Sequence, residues 1–178
     1  LSDRTVEAIY RELMSGSFAL EQPLRVAYLG PPGTFSHVAA VRHFGSSVTC
    51  IDHDDIDHVF DAVASGQCDY GLAPYENTIG GGITDTLDAL QTHEVSIYAE
   101  SMIEVVLCLL CNGAPDQIRR IASKPQAITQ CRRWLAAHYP RVDRIDTPSS
   151  AAAVKSAAED PSCAAIGSAL AGDLYGVK

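Results

Sequence analysis

Basic side chains are scarce in this sequence. Lys and Arg number 13 against 22 Asp and Glu, a formal net charge of −9 at neutral pH. Such a chain, with no basic run, lacks the phosphate-neutralising patch that nucleic acid or an anionic membrane surface requires. Long apolar runs are missing too. The stretch from Val105 to Cys111 is far too short to span a bilayer. The opening Leu1-Ser2-Asp3-Arg4 has neither the basic start nor the apolar core of an export signal. The expectations are a cytoplasmic protein, no nucleic-acid partner and no membrane partner. Two phosphate-binding signatures are also lacking: no Gly-Lys-Ser/Thr closes a Walker loop, and no GxGxxG marks a dinucleotide fold.

Metal and redox motifs are thin. Of the six cysteines, only Cys108 and Cys111 form a CxxC, and no second CxxC or nearby His pair completes a zinc set. Without an export signal the cysteines read as reduced core residues rather than bridges. The acid run Asp52 to Asp57, with His53 and His58, reads as a solvated helix start, capped by Asp54 or Asp55, rather than a metal site.

What is present is a repeated strand–turn–helix pattern. The 178 residues can bury one core or two small lobes. Leu24 to Leu29 reads as a strand, Val48 to Cys50 as a second, and Tyr70 to Ala73 as a short buried third. Helical patterns follow each, the last with Ile83, Leu87 and Leu90 at helical spacing. Three such units argue a doubly wound parallel sheet. Val95 to Leu110 reads as mostly extended, a crossover. Beyond it come strands at 118–122, 142–146 and 163–166. Helices are expected at 125–138, with Ile128, Cys131, Trp134 and Leu135 inward, at 149–158, and after Gly167-Ser168.

Two turns concentrate polar chemistry. Pro74-Tyr75-Glu76-Asn77-Thr78-Ile79-Gly80-Gly81-Gly82 places a carboxylate, an amide and a hydroxyl at a strand's carboxyl end, where open α/β folds hold ligands. A loop whose Asn or Thr caps the next helix is the alternative reading. Gly30-Pro31-Pro32-Gly33-Thr34-Phe35-Ser36-His37 is a second such turn, opening a helix whose free N–H groups favour an anion. Together they point to a small, anionic, oxygen-rich ligand.

Val26-Ala27-Tyr28-Leu29-Gly30-Pro31-Pro32-Gly33-Thr34-Phe35-Ser36 resembles the amino-terminal signature of prephenate dehydratases. Pro74 to Gly81 resembles their Pro-x-Glu-Asn-Ser/Thr-x-x-Gly motif. Ser123-Lys124-Pro125-Gln126-Ala127-Ile128-Thr129-Gln130-Cys131 is similar to their Ser-His-Pro-Gln-x-x-x-Gln-Cys, with Lys124 where His is usual, so no catalytic duty is carried over to that position. Pro148 to Ala153, Ala165 to Ser168 and Tyr175-Gly176 extend the resemblance, which covers Leu24 to Val177.

The resemblance implies an α/β, two-lobed, type II periplasmic-binding-protein-like fold. The lobes are expected at 23–101 and 102–178. Residues 1–22 resemble the last helix of a chorismate mutase domain, its apolar stripe being Val6, Ile9, Tyr10, Leu13, Met14 and Phe18. Ser17 and Glu21 would hold positions that face a mutase site. No mutase activity is expected of this helix alone. The implied activity is decarboxylative dehydration of prephenate to phenylpyruvate, without metal or organic cofactor. Glu76, Asn77 and Thr78 would be catalytic. Thr34, Phe35, Ser36, Ser123, Gln130, Ser149 and Ser150 would bind substrate across an interlobe cleft. An arogenate dehydratase, or a non-catalytic small-anion-binding module of the same fold, is the alternative. The family's Thr-Arg-Phe motif and its phenylalanine-binding ACT domain are not found, so the sequence reads as a poorly active or inactive fragment. A homodimer is expected, with L-phenylalanine a partner only through an ACT domain.

Overall fold

The computed structural model describes residues 2–178, apart from the side chains of Phe18, Ala19 and Glu21. The chain divides into two compact units, Leu1–Gly30 with Ser36–Ile103, and Pro31–Phe35 with Glu104–Lys178.

The first unit opens with helix α1 (Asp3–Glu21). Its apolar stripe is open: Ile9, Tyr10, Leu13 and Met14 are all exposed, while Phe18 and Glu21 fall among the side chains that are not described. The polar side faces the protein instead. Ser15 is buried, and its Oγ accepts from the Ser47 N–H at 3.2 Å. The Glu12 carboxylate takes both the N–H and the hydroxyl of Ser46 (3.2 and 2.7 Å), which lowers its pKa.

Strands β1 (Arg25–Leu29), β2 (Thr49–His53) and β3 (Tyr70–Leu72) form a parallel sheet in the order β2-β1-β3. Val26, Ala27 and Tyr28 of the central strand are buried, as an apolar run in a parallel sheet requires. β3 is an edge strand and only half-buried, not the buried strand its composition suggests. Helices α2 (Phe35–Phe44) and α3 (Ile56–Ala64) make the crossovers. Asp55 caps α3, its carboxylate accepting from the His58 N–H at 2.8 Å.

Between β3 and α4 (Thr84–Thr92) lies a hairpin of two short strands, β4 (Glu76–Asn77) and β5 (Gly81–Gly82). α4 buries Thr86 and Ala89, and Leu87 is 41% exposed rather than inward. The segment from 93 to 107 forms no regular strand, and Val105 and Val106 are exposed.

The second unit is a mixed sheet, β6 (Cys108–Leu110), β9 (Cys163–Gly167), β7 (Arg120–Ser123) and β8 (Asp143–Asp146), in that order, with only β6 antiparallel. Helices α5 (Pro125–His138), α6 (Ser150–Glu159) and α7 (Ala169–Tyr175) follow β7, β8 and β9. Every residue of β9 is buried, and one face packs Leu110, Ala122, Val154 and Ala165. The other packs Ile121, Leu135, Ala164 and Ile166. Trp134 is not inward: it is 45% exposed and stacks on His138 with ring centroids 4.5 Å apart.

Candidate active site

In the first unit the candidate residues stand on the β4–β5 hairpin. Gly81 takes φ +73°, open to glycine at little cost, and the strands close through Glu76 opposite Gly82 and Asn77 opposite Gly81. Two further bonds tie the base: the Ile83 N–H donates to the Tyr75 carbonyl (2.8 Å), and the Thr86 hydroxyl to the Pro74 carbonyl (2.6 Å). Asn77 Oδ1 accepts from the N–H groups of Ile79 (3.0 Å) and Gly80. Asn77 thus caps its own turn and not α4, whose cap position, Ile83, offers no side-chain acceptor. Glu76, Asn77 and Thr78 are exposed, and the Glu76 carboxylate makes no hydrogen bond or ion pair among the described residues. Ser36, half-buried in the first turn of α2, also belongs to this unit. Close by on that helix, His37 stacks on Tyr28 (4.7 Å, 13°). Burial holds its pKa below the ordinary histidine range, with Asp52 pulling the other way.

The second unit gathers its polar turns at the carboxyl ends of β7, β8 and β9. Ser149 caps α6, its Oγ accepting from the Ala152 N–H at 3.0 Å, and Ser150 is buried beside it. Ser168, absent from the sequence-based set, caps α7 through the Ala171 N–H (3.0 Å) and donates to the Gly33 carbonyl at 2.7 Å. The Tyr175 hydroxyl donates to the Pro32 carbonyl at 3.0 Å. These bonds seat residues 31–35 against the starts of α6 and α7. Gly33, at φ +89°, has room for no more than hydrogen, because a Cβ there would lie 2.8 Å from that of Ala171 and 3.6 Å from that of Ala151. Thr34 and Phe35, both half-buried, are carried by this loop.

Two of the expected substrate-binding residues are placed differently. Ser123 is fully buried, and its hydroxyl donates to the Ile166 carbonyl at 2.6 Å, linking β7 to β9 rather than facing a ligand. Gln130 is exposed on the second turn of α5, away from the helix starts. Two cavities lie elsewhere: one of about 180 Å³ against Arg120, Asp160 and Cys163, and an open one of about 550 Å³ against His53, His58 and Asp61. Neither takes a wall from the candidate residues. Among the described residues no three His, Cys, Asp or Glu gather to hold a metal ion.

A family model described as prephenate dehydratase matches residues 26–178, which takes in every turn above. The chain belongs to the prephenate dehydratase family. It is 42% identical over 180 aligned residues to a bifunctional chorismate mutase/prephenate dehydratase of Stutzerimonas stutzeri, covering all of this chain and 49% of that protein. A crystal structure of prephenate dehydratase from Arthrobacter aurescens in complex with L-Phe matches with a TM-score of 0.77 at 30% identity, over 85% of this chain and 52% of that one. A structure described as a novel type of quorum quenching acylase, GqqA, matches with a TM-score of 0.76 at 26% identity, over 86% of this chain and 57% of that one. The chain therefore spans about half the length of the curated relatives it matches. Its fold class is the α/β, type II periplasmic-binding-protein-like one of the prephenate dehydratase family. No described helix is long and apolar enough to cross a membrane.

Proposed function

We propose that this chain carries the prephenate dehydratase activity that makes phenylpyruvate for phenylalanine synthesis. The observation that carries the reading is the family match over 26–178, together with a Glu-Asn-Thr triplet held on a closed hairpin whose carboxylate is unpaired. Prephenate bears a ring hydroxyl and, across the ring, a quaternary carbon with a carboxylate and a pyruvyl arm. A proton delivered to the hydroxyl lets the C–O bond break. The electron pair of the ring-to-carboxylate bond then enters the ring, and carbon dioxide and water leave. Aromatisation supplies the drive, so the protein must place an acid, hold the substrate and keep water from the departing carboxylate. Glu76 is the candidate acid or orienter, with Asn77 and Thr78 beside it. Thr34, Phe35, Ser36, Gln130, Ser149 and Ser150 hold substrate, and Ser123 acts by fixing the β7 turn.

The same reading assigns α1 to a chorismate mutase domain preceding the dehydratase residues 23–178, with Ser17 and Glu21 at its mutase-facing positions. It places the protein in the cytoplasm and gives phenylalanine control to an ACT domain rather than to these turns. It also expects a homodimer, the first sheet having β2 and β3 as open edges. The deciding assay is formation of phenylpyruvate from prephenate at neutral pH, beside arogenate, corrected for spontaneous breakdown. Turnover of prephenate that falls with Glu76→Gln supports the assignment. Turnover of arogenate alone, or of neither compound with binding absent, overturns it.

A further inference from the structure

We infer that Lys124 is the residue that recognises the pyruvyl carboxylate of the substrate, a specificity role that rests on the dehydratase reading above. Ser123, the preceding residue of the same turn, has turned its hydroxyl inward to Ile166. The outward-facing group of that turn is therefore the lysine, which is exposed. Its backbone is fixed: the Lys124 carbonyl accepts from the N–H groups of Ala127 (2.9 Å) and Ile128 (3.2 Å), at φ −62° and ψ 139°.

Register places it among the other turns of its unit. Ser123 lies opposite Asp146, and Ala122 opposite Ala165. Lys124 thus stands just past the strand ends, one strand from the turn that opens α6 and one from the turn that opens α7. Adjacent strands run about 4.8 Å apart, within easy reach of a lysine side chain. The remaining cations of the unit lie elsewhere. Arg119 and Arg120 stand at the far end of β7, where Arg120 pairs with Asp160, and Arg141 precedes the far end of β8. Arg144 is inside β8 opposite Ile121, Arg132 and Arg133 lie beyond the second turn of α5, Lys155 is in the second turn of α6, and Lys178 follows α7. Lys124 makes no ion pair among the described residues, not even with Asp146, the acid that ends the neighbouring strand. On a chain of net charge −9, a dianionic substrate meets one unpaired cation at this edge.

The chemistry says which carboxylate it holds. One of the two loses its charge as it leaves as carbon dioxide. A cation bound there would favour the ground state over the transition state and slow the reaction. The pyruvyl carboxylate keeps its charge from substrate to product, so a lysine on it strengthens binding at every stage and leaves the chemical step alone. Lys124 therefore acts on KM and not on kcat.

The test is calorimetric titration of the chain with prephenate and, separately, phenylpyruvate, which retains only the pyruvyl carboxylate. Lys124→Gln should weaken both by a similar factor, roughly 10- to 100-fold for a lost charge-assisted contact, and Lys124→Arg should stay near the parent. Lys124→His should bind tightly at pH 5.5 and weakly at pH 8, a dependence that a purely structural role would not create. Unchanged affinity of Lys124→Gln for both compounds overturns the inference and leaves the dehydratase reading standing. Loss of prephenate affinity with phenylpyruvate unaffected overturns it also, since the ring carboxylate would then be the partner. A parent chain that binds neither compound removes the dehydratase reading, and this inference with it.

Discussion

At the carboxyl end of β7, Ser123 is fully buried and its hydroxyl is bound to Ile166; at the carboxyl end of β3, Glu76 and Thr78 stand exposed on a two-strand hairpin. Ser149 and Ser168 of the second unit are likewise engaged, each accepting from the first turn of its own helix. In the first unit Asp55 caps α3 in the same way, and Asn77 accepts within its own turn through one side-chain atom. Polar residues at strand ends look alike in sequence, yet some hold their turns in place and others, Glu76 and Thr78 among them, are offered to solvent. Depth decides which. A hydroxyl inside a sheet must find an acceptor, because leaving it unpaired there is costly, whereas one on a hairpin tip can stay available for a ligand.

The contrast breaks most visibly at Glu76. Glu76→Gln or Asn77→Ala should lower prephenate turnover by about 10²–10⁴-fold, the span of a positioned acid–base group, with the thermal midpoint nearly unmoved for the Glu76 variant. Near-normal rates in both would remove the hairpin from the site. Ser123→Ala should do the reverse, destabilising the chain by about 1–3 kcal/mol for a buried hydrogen bond in urea unfolding. Its kcat should change less than that of Glu76→Gln. A variant as stable as the parent would show that the link from Ser123 to Ile166 is dispensable. Ser149→Ala should cost about 1 kcal/mol, the usual worth of a helix cap, read by the same unfolding curves.

The smallest effects are titrations within the first unit. Burial lowers the His37 pKa, so protonation favours the unfolded chain. Its contribution to stability is present above the ordinary histidine value and is lost as pH falls from there through the folded value. His93 is raised, first by its hydrogen bond to the Ala89 carbonyl and then by Asp61. Its contribution is full below the ordinary value and lost as pH rises through the folded one. An NMR titration should find His37 with the lower midpoint and His93 with the higher. The reverse order would contradict the described packing.

Most regular elements were legible because the apolar runs and cap residues agree. Val26 to Tyr28 is a strand stretch buried on both faces, and Asp55 and Ser149 cap the helices that follow them. Two departures share a cause, since periodicity reports spacing and not what covers it. The apolar run before Cys108 finds no strand partner until that residue reaches β9. Trp134 keeps the helical phase yet stacks at the surface. The hairpin was hidden for a different reason: two-residue strands of Glu-Asn and Gly-Gly carry no alternation to read. Of the candidate residues, the Glu76 triplet and Ser149 were visible in sequence, and Ser168 was not among them. The inward turn of Ser123 was not, because the Ile166 carbonyl that receives it is 43 residues away.

The loop at 31–35 has a consequence for synthesis on the ribosome. Its partners, Ser168 and Tyr175, lie 135 and 143 residues further along the chain. During translation the strand β1 emerges before the second sheet, but the glycine loop that follows it must wait until every strand of that sheet has been made. Such distant closure is slow relative to local contacts. The segment bearing Thr34 and Phe35 is therefore among the last to become ordered, and a nascent chain halted before α7 would have its sheets without a seated 31–35 loop. Limited proteolysis of chains stalled before and after residue 175 would register that order as cleavage near Gly33 that disappears only in the longer product.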